Sequence, residues 1–261
     1  MAAGLAACSA NSVPGAGAPA STTVERPSVG TPVPTQVSTA AATIAADSSL
    51  VAPASSVALG PSPARFLNKG DRASGAVALT FHAAGNVDMA NRLLDVIKRS
   101  GLPVTIFAVG GWLQANPQLA KRMIQDDHEL ANHTWSHGAM RTMTARRLDA
   151  EIAQAAAALV AATGTAGRWF RPSQIEVPTD AILAAAGRNG YPVSVGYDVD
   201  SLDFQDPGAA AVRKNVIETV QPGSIVSLHF DHTDTIEAFP AIADHLQAKG
   251  WRAVTVSQLL G

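Results

Sequence analysis

Two histidines stand four residues apart in the stretch His133-Thr134-Trp135-Ser136-His137. On a helix or in a tight turn, positions i and i+4 lie on the same side, so both imidazoles can face one point. Neutral imidazole is the commonest side-chain metal ligand, and three protein ligands with one open position form a hydrolytic zinc site. The pair alone is a weak indication, because two surface histidines would give the same spacing. The pair indicates a metal site only if the fold brings further polar residues close to it.

Strand-like and helix-like segments alternate around this pair. Apolar runs at 76–81 and 224–229 are typical of buried strands, and 88–100 has apolar residues at helical spacing. Further strands are predicted at 104–109, 168–171, 192–197 and 252–256, and further helices at 117–127, 144–163, 179–189, 207–220 and 235–249. Such alternation predicts parallel strands joined by crossover helices, that is, an α/β sheet or barrel over 64–261.

The carboxyl ends of parallel strands meet at one end of such folds, and ligands bind there. Polar side chains stand at or just beyond several predicted strand ends, namely His82, His133, His137, Arg171, Asp200, Asp203 and His229. Their convergence indicates a functional site more strongly than any single motif does. A Ser/His/Asp hydrolase is not indicated, because Ser227 neighbours His229 without the Gly-x-Ser-x-Gly turn that such enzymes use.

These motifs and their order resemble the NodB-homology polysaccharide deacetylases, which form carbohydrate esterase family 4. His133 to His137 matches the family's His-[Ser/Thr]-x-x-His, and Leu228-His229 matches its Leu-His. Asp200-Ser201-Leu202-Asp203-Phe204 matches Asp-x-x-Asp-Trp, with another aromatic residue at the end. The resemblance covers residues 76–260. It implies a distorted (β/α) barrel and the metal-dependent removal of N-acetyl groups from amino sugars in chitin or peptidoglycan.

The resemblance also implies a role for each matched residue. His133 and His137 would be metal ligands. Asp203 would orient His229, which would protonate the leaving amine, and Arg171 would orient the general base. The residues expected to contact the substrate are Trp135, Asp200, Phe204 and Leu228.

Two motifs depart from the family pattern. Thr80-Phe81-His82-Ala83-Ala84-Gly85 stands where the family has Thr-Phe-Asp-Asp-Gly, so the carboxylates of the general base and of the third metal ligand are both missing. Arg171-Pro172-Ser173-Gln174 replaces Arg-Pro-Pro-Tyr. This motif keeps the arginine but loses the aromatic residue whose backbone amide helps to hold the oxyanion.

Two roles are open to His82. As a ligand beside His133 and His137, it would complete a three-histidine shell for a divalent metal, with zinc as the expected ion. Arg171 nearby would disfavour the imidazolium form and leave a lone pair free. As a general base, His82 would suit neutral pH, since its ordinary pKa is about 6.5, but only two ligands would remain for the metal. We favour the ligand role.

Two hypotheses for function follow. In the first, the domain is a metal-dependent hydrolase that removes acetyl groups from cell-wall amino sugars with an altered set of metal ligands and base. In the second, it is an inactive homologue that binds cell-wall carbohydrate. His82 replaces an aspartate by another residue that can bind a metal, which is typical of altered chemistry rather than of random loss. We therefore favour the hydrolase.

Composition limits the partners of the domain. Hydrophobic residues make up 47% of the 261-residue chain and charged residues 15%, which suits one sizeable core. A net charge of −2 predicts neither nucleic-acid binding nor attraction to an acidic lipid surface, since both need clustered Lys and Arg. No apolar run reaches the roughly 18 residues of a membrane helix. We expect a monomer whose partner is the acetylated polysaccharide.

The N-terminal quarter differs from the rest of the chain. Leu5-Ala6-Ala7-Cys8-Ser9 resembles a bacterial lipobox, but only residues 1–4 precede it, so we interpret 1–8 as the remnant of a truncated lipoprotein signal. Residues 9–63 are rich in Ala, Pro, Ser and Thr and contain no aromatic residue, which predicts a disordered tether. We therefore expect an extracytoplasmic domain in the cell envelope, secreted or anchored to the membrane by a lipid on Cys8.

Overall fold

The structure is a computed structural model that describes residues 62–261. The predicted signal remnant and nearly all of the predicted tether lie outside this range. The described strands are β1 (Arg65–Leu67), β2 (Ala76–Ala83), β3 (Thr105–Ala108), β4 (Glu129–Asn132), β5 (Val193–Val195), β6 (Val199–Asp200), β7 (Ile225–His229) and β8 (Arg252–Val254). The α-helices are α1 (Val87–Ser100), α2 (Gly110–Ala115), α3 (Pro117–Gln125), α4 (Ala145–Thr163), α5 (Asp180–Arg188), α6 (Ala209–Ile217), α7 (Thr233–Ala248) and α8 (Val256–Leu260).

A parallel sheet forms the centre of the domain, in the order β4-β3-β2-β7-β6, and β8 pairs with the first part of β2. All pairings between these strands are parallel. Single bridges join Asn132 to Phe170 and Phe170 to Ser194, so the extended segment around Phe170 connects β4 with β5, which itself pairs with β1. Parallel neighbours need crossover connections, which the helices provide. The predicted α/β class is confirmed.

The predicted strand at 168–171 is reduced to the single bridge at Phe170. Pro172 follows Arg171 and has no backbone N–H, so the ladder does not continue there. The sequence analysis missed helix α2, which begins with Gly110 and Gly111, two residues with low helix propensity. Contacts with α4 compensate for this propensity, because α2 approaches Ala155 closely at Gly110.

Strand β2 positions the site. It lies between β3 and β7, and every residue in it except His82 is buried. The parallel register places His82 opposite His229 of β7 and opposite Phe107 of β3. Side chains of paired residues in register lie on the same face of a sheet, so the two imidazoles are neighbours at the carboxyl ends of their strands.

Gly110 provides a test of the packing that supports the site. A Cβ at this position would lie 2.6 Å from Ala155 Cα and 2.9 Å from Ala155 Cβ, and neither atom can rotate away. We expect Gly110→Ala to lower the free energy of unfolding by about 1–3 kcal/mol through overpacking. Helix propensity alone would favour alanine by up to ~1 kcal/mol, so a loss isolates the contact.

Chemical denaturation measures this loss. The control is Ala153→Ser, an exposed position on α4 where the change should stay within about 0.5 kcal/mol. An unchanged or increased stability of Gly110→Ala would contradict the close contact between the two helices.

Candidate functional site

A cavity of about 570 Å³ opens at the carboxyl end of the sheet. Five histidines contribute to its wall, and they are His82, His133, His137, His229 and His232. Arg171 also lines it, while Asp203 lies directly behind His229 with no exposed surface. The structure thus brings all the predicted catalytic and metal-binding residues to one place.

Asp203 fixes the orientation of His229. Its Oδ1 accepts from His229 Nδ1 over 2.6 Å, and its Oδ2 accepts from the backbone N–H of His229 over 2.7 Å. Thr235 Oγ1 donates to the same Oδ2 over 2.6 Å. Burial alone would raise the pKa of Asp203, but these hydrogen bonds outweigh it and hold that pKa below its usual value. Asp203 is therefore a buried carboxylate that holds His229 in one ring orientation.

Arg171 determines the tautomer of His82. Its Nη1 lies 2.9 Å from His82 Nε2, and because a guanidinium can only donate, His82 Nε2 must accept. A neutral imidazole carries one N–H, so His82 holds its hydrogen on Nδ1 and donates it to His229 Nε2 over 2.8 Å. The hydrogen bonds thus run in one direction from Arg171 through His82 and His229 to Asp203. We call these four residues the polar row.

Burial favours a neutral His82 beside the charged Arg171. It lowers the pKa of His82 well below the usual value, and the neighbouring His133, His229 and Arg171 lower it further. Burial also lowers the pKa of Arg171 to about 9, which still leaves the guanidinium charged at neutral pH. Three further hydrogen bonds from Arg171, each 2.9 Å long, go to Thr80 Oγ1, Val195 O and Gly196 O. Within residues 62–261 no carboxylate lies within ion-pair distance of Arg171.

His133 presents a free lone pair. Its Nδ1 lies 2.9 Å from the carbonyl oxygen of Arg171, which can only accept, so Nδ1 carries the hydrogen and Nε2 the lone pair. That Nε2 is buried and has no hydrogen-bond partner among the described residues. The ring of His137 lies beside it, with 5.0 Å between the ring centroids. The two histidines lie in a loop rather than on a helix, and Thr134 (φ 67°) and His137 (φ 56°) have left-handed backbone conformations.

The third predicted metal ligand, His82, is placed differently. Both of its ring nitrogens are occupied by Arg171 and His229, and its ring stacks on His133 with 4.4 Å between centroids. No group of three His, Cys, Asp or Glu side chains in the described part of the chain is arranged to hold a metal ion. His133 and His137 therefore fit the predicted metal, but the three-histidine shell with His82 is not assembled.

The residues predicted to contact the substrate divide into two groups. Phe204 is exposed at the rim of the cavity, with its ring edge-on to His229 at 5.4 Å between centroids. Trp135, Asp200 and Leu228 are not part of the cavity wall. Leu228 is fully buried in the core, because side chains alternate along β7 and its neighbour His229 takes the site face. Trp135 lies against Gly110 and Gly111 of α2.

Glu151 of α4 supports the loop that carries His137, and the sequence analysis missed it. Its side chain is 1% exposed. Its Oε2 accepts from the backbone N–H groups of Trp135 and Ser136 over 3.0 and 2.8 Å, and its Oε1 accepts from Ser136 Oγ over 2.7 Å and from Arg147. The available signal was a carboxylate on the apolar side of α4, next to Ile152 and one turn from Leu148 and Ala155.

We expect Glu151→Gln to destabilise this loop. Gln keeps the shape but replaces one accepting oxygen of the buried side chain by an NH2 group, which would then face a donor of Ser136 or Arg147 instead of accepting from it. The free energy of unfolding should fall by about 1–3 kcal/mol, and the amide resonances of Trp135 and Ser136 should move in NMR spectra. Glu237→Gln, at an exposed position on α7, is the matched control. Unchanged amide resonances in Glu151→Gln would contradict the assigned role.

The cavity histidines should also make stability dependent on pH. Burial lowers the pKa of His82, His133 and His137, and burial of His128 elsewhere in the domain acts in the same direction. Such groups bind protons more readily in the unfolded chain, so the free energy of unfolding should fall as the pH drops below about 6.5. Denaturation at about pH 7.5 and about pH 5.5 measures this.

His133→Ala should flatten that pH dependence, while His245→Ala, which removes a histidine outside the cavity, should not. Equal stability of the parent protein at both pH values would contradict the burial of neutral histidines in the site.

Comparisons with known proteins agree with this fold. The family model "Polysaccharide deacetylase" matches residues 69–194. A chitooligosaccharide deacetylase of Sinorhizobium fredii is 31% identical over 153 residues, which is 59% of this chain and 71% of the relative. The peptidoglycan-N-acetylglucosamine deacetylase PgdA of Listeria monocytogenes is 27% identical over 186 residues, which is 71% of this chain and 39% of that protein. A third relative, the Bacillus subtilis protein YlxY, is matched over 59% of its length. The chain therefore spans less than two thirds of both PgdA and YlxY.

A solved structure gives the same result. The crystal structure of BA3943 from Bacillus anthracis, described as a pseudoenzyme of carbohydrate esterase family 4, matches with a TM-score of 0.71 and 25% identity over 77% of this chain and 70% of that one. A mutant of BA3943, described as having restored enzymatic activity, matches with the same TM-score. Together with the order of the site residues along the strands, these similarities establish that the chain belongs to the polysaccharide deacetylase family.

Proposed function

We propose that this domain removes acetyl groups from an acetylated cell-wall polysaccharide. The observation that carries the proposal is the Asp203–His229 pair at the wall of the cavity. A carboxylate-oriented imidazole can take up a proton and return it, which is what hydrolysis of an acetyl amide needs. The cavity, at about 570 Å³, has the size of a small-molecule site. Relatives named as chitooligosaccharide and peptidoglycan-N-acetylglucosamine deacetylases support this class of substrate.

His229 would act first as the general base and then as the general acid. Its Nε2 would accept a proton from the water that attacks the acetyl carbonyl carbon, and Asp203 would stabilise the resulting imidazolium. The same proton would then pass to the leaving nitrogen as the C–N bond breaks and acetate forms. Before this can happen, His82 must release Nε2 of His229, which it occupies with its own N–H.

The predicted zinc ion has a weaker basis in the geometry. His133 and His137 would supply two imidazole nitrogens, and no third ligand is positioned within residues 62–261. The proposal therefore assigns both proton transfers to His229, with Asp203 orienting its ring and stabilising its protonated form. The buried Nε2 of His133 keeps a lone pair that has no hydrogen-bond partner among the described residues.

A second candidate function is carbohydrate binding without turnover. The specific observation in its favour is the hydrogen bond from His82 to His229, because it occupies the nitrogen that would act in catalysis. The missing carboxylates at His82 and Ala83 favour the same function. The similarity to BA3943, described as a pseudoenzyme, is a further argument.

We also propose that the domain works outside the cytoplasm, in the cell envelope, because PgdA is named for a peptidoglycan substrate. None of the helices in the described part of the chain is long and apolar enough to cross a bilayer. The lipid anchor on Cys8 falls outside the described residues and remains a prediction, as does the monomeric state.

Acetate release tests the proposed function. The protein is incubated with N-acetylglucosamine oligomers and with peptidoglycan, and binding of the same ligands is measured by calorimetry. We expect His229→Ala to lower acetate release by at least about 10²-fold, because it removes the base. His232→Ala is the control, since His232 lies on the same cavity wall but hydrogen-bonds to Asp206 outside the polar row.

The outcomes separate the two candidates. Acetate release that depends on His229 supports the hydrolase. Binding without acetate release supports the carbohydrate-binding function and rejects the hydrolase. Absence of both binding and release would contradict the assignment of the cavity to sugars.

A further inference from the structure

We infer that His82 is a link in the polar row and not a metal ligand, and that this member of the family therefore does not hold a divalent metal at its histidine cluster. The inference goes beyond the proposed function, because it concerns the protons and ligands of the resting protein and is tested without any measurement of activity.

The first step is the occupation of both His82 nitrogens. Nε2 accepts from Arg171 over 2.9 Å and Nδ1 donates to His229 over 2.8 Å. A metal ligand needs a nitrogen whose lone pair faces the ion, and the lone pair on Nε2 faces a cation already. Binding through Nδ1 would require the hydrogen on that atom to leave and would remove the donor from His229.

The second step is the orientation of the rings. The lone pair of an imidazole lies in the ring plane, so the ligands of one ion have planes whose edges converge. His82 and His133 instead stack, with an angle of 23° between planes and 4.4 Å between centroids. Lone pairs on stacked rings lie in nearly parallel planes about one ring-stacking distance apart, so the free Nε2 of His133 and the nitrogens of His82 do not converge on one ion.

The third step is the lack of a substitute carboxylate. The cavity wall includes two acidic residues, Glu176 and Asp231. Asp231 Oδ1 accepts from the backbone N–H of Asn86 over 3.0 Å, and Glu176 is exposed. Neither belongs to a metal-binding group of three among residues 62–261. Two imidazoles alone, on His133 and His137, bind a divalent ion weakly compared with the three or four ligands of stable zinc sites.

The experiment measures zinc content and His82 tautomer in the full chain. The protein is incubated with excess zinc, desalted and analysed by mass spectrometry for metal, beside His82→Ala and the control His232→Ala. In parallel, the full chain labelled with 15N at histidine is examined by NMR, with the His82→Ala spectrum identifying the His82 signals. We expect far less than one zinc per chain in all three proteins, and a His82 ring protonated on Nδ1 with a lone pair on Nε2.

Two results would overturn the inference. One is a stoichiometric zinc ion in the parent chain, above all if His82→Ala loses it, since His82 would then be the third ligand. The other is a His82 ring protonated on Nε2, which is incompatible with acceptance from Arg171. The metal content of the parent needs no variant, and through-bond assignment from the backbone identifies the His82 signals if His82→Ala fails to fold, so a folding defect leaves both tests intact. Failure of acetate release would affect neither result.

Discussion

The buried guanidinium of Arg171 sets the direction of the hydrogen bonds in the site. Arginine has five N–H donors and no acceptor, so whatever faces it must accept. Here the facing group is His82 Nε2, so the hydrogen of His82 lies on Nδ1 and is donated to His229 Nε2. The hydrogen of His229 then lies on its own Nδ1 and is donated to Asp203. The order depends on the register of β2 against β7, which puts His82 opposite His229. A shift by one residue would turn His82 to the other face of the sheet.

The supports of the site are polar groups whose partners are all within the fold. Asp203 and Glu151 are buried carboxylates, and each accepts hydrogen bonds from backbone N–H groups as well as from side chains. A buried carboxylate without such partners would cost several kcal/mol of desolvation free energy. The hydrogen bonds that offset this cost also fix the backbone segments that donate them. His229 and His137 are thereby held by different elements. Asp203, in a 3-10 turn at Asp203–Gln205, holds His229, and Glu151 of α4 holds the loop of His137.

Sequence patterns predicted the fold class and the residues at the end of the sheet, because both depend on alternation of strands and helices. They could not predict what His82 contacts. That depends on strand register and on the reach of Arg171 from another segment, and neither leaves a periodic pattern. The family motif around Leu228 and the place of Trp135 between His133 and His137 suggested that both would contact the substrate, whereas side-chain direction turns Leu228 into the core and Trp135 towards α2. Glu151 was missed because a single charge on a helix is usually a solvated one.

The charge of the site explains why a histidine replaces an aspartate here. Two carboxylates in the Thr80–Gly85 segment would supply two negative charges, enough to balance a divalent ion beside the buried Arg171. With His82 and Ala83 in their place, Arg171 has no carboxylate within ion-pair distance among residues 62–261, and Asp203 stands at the far end of the polar row. A divalent cation bound in the cavity wall would then be repelled by the guanidinium, and the repulsion is stronger there than in water because the buried site has a lower effective dielectric constant. Burial, together with the neighbouring His133, His229 and Arg171, lowers the pKa of His82 and keeps its Nε2 free to accept from Arg171. The two replacements are therefore coupled: losing the carboxylates disfavours the metal, and a neutral histidine satisfies the arginine that remains.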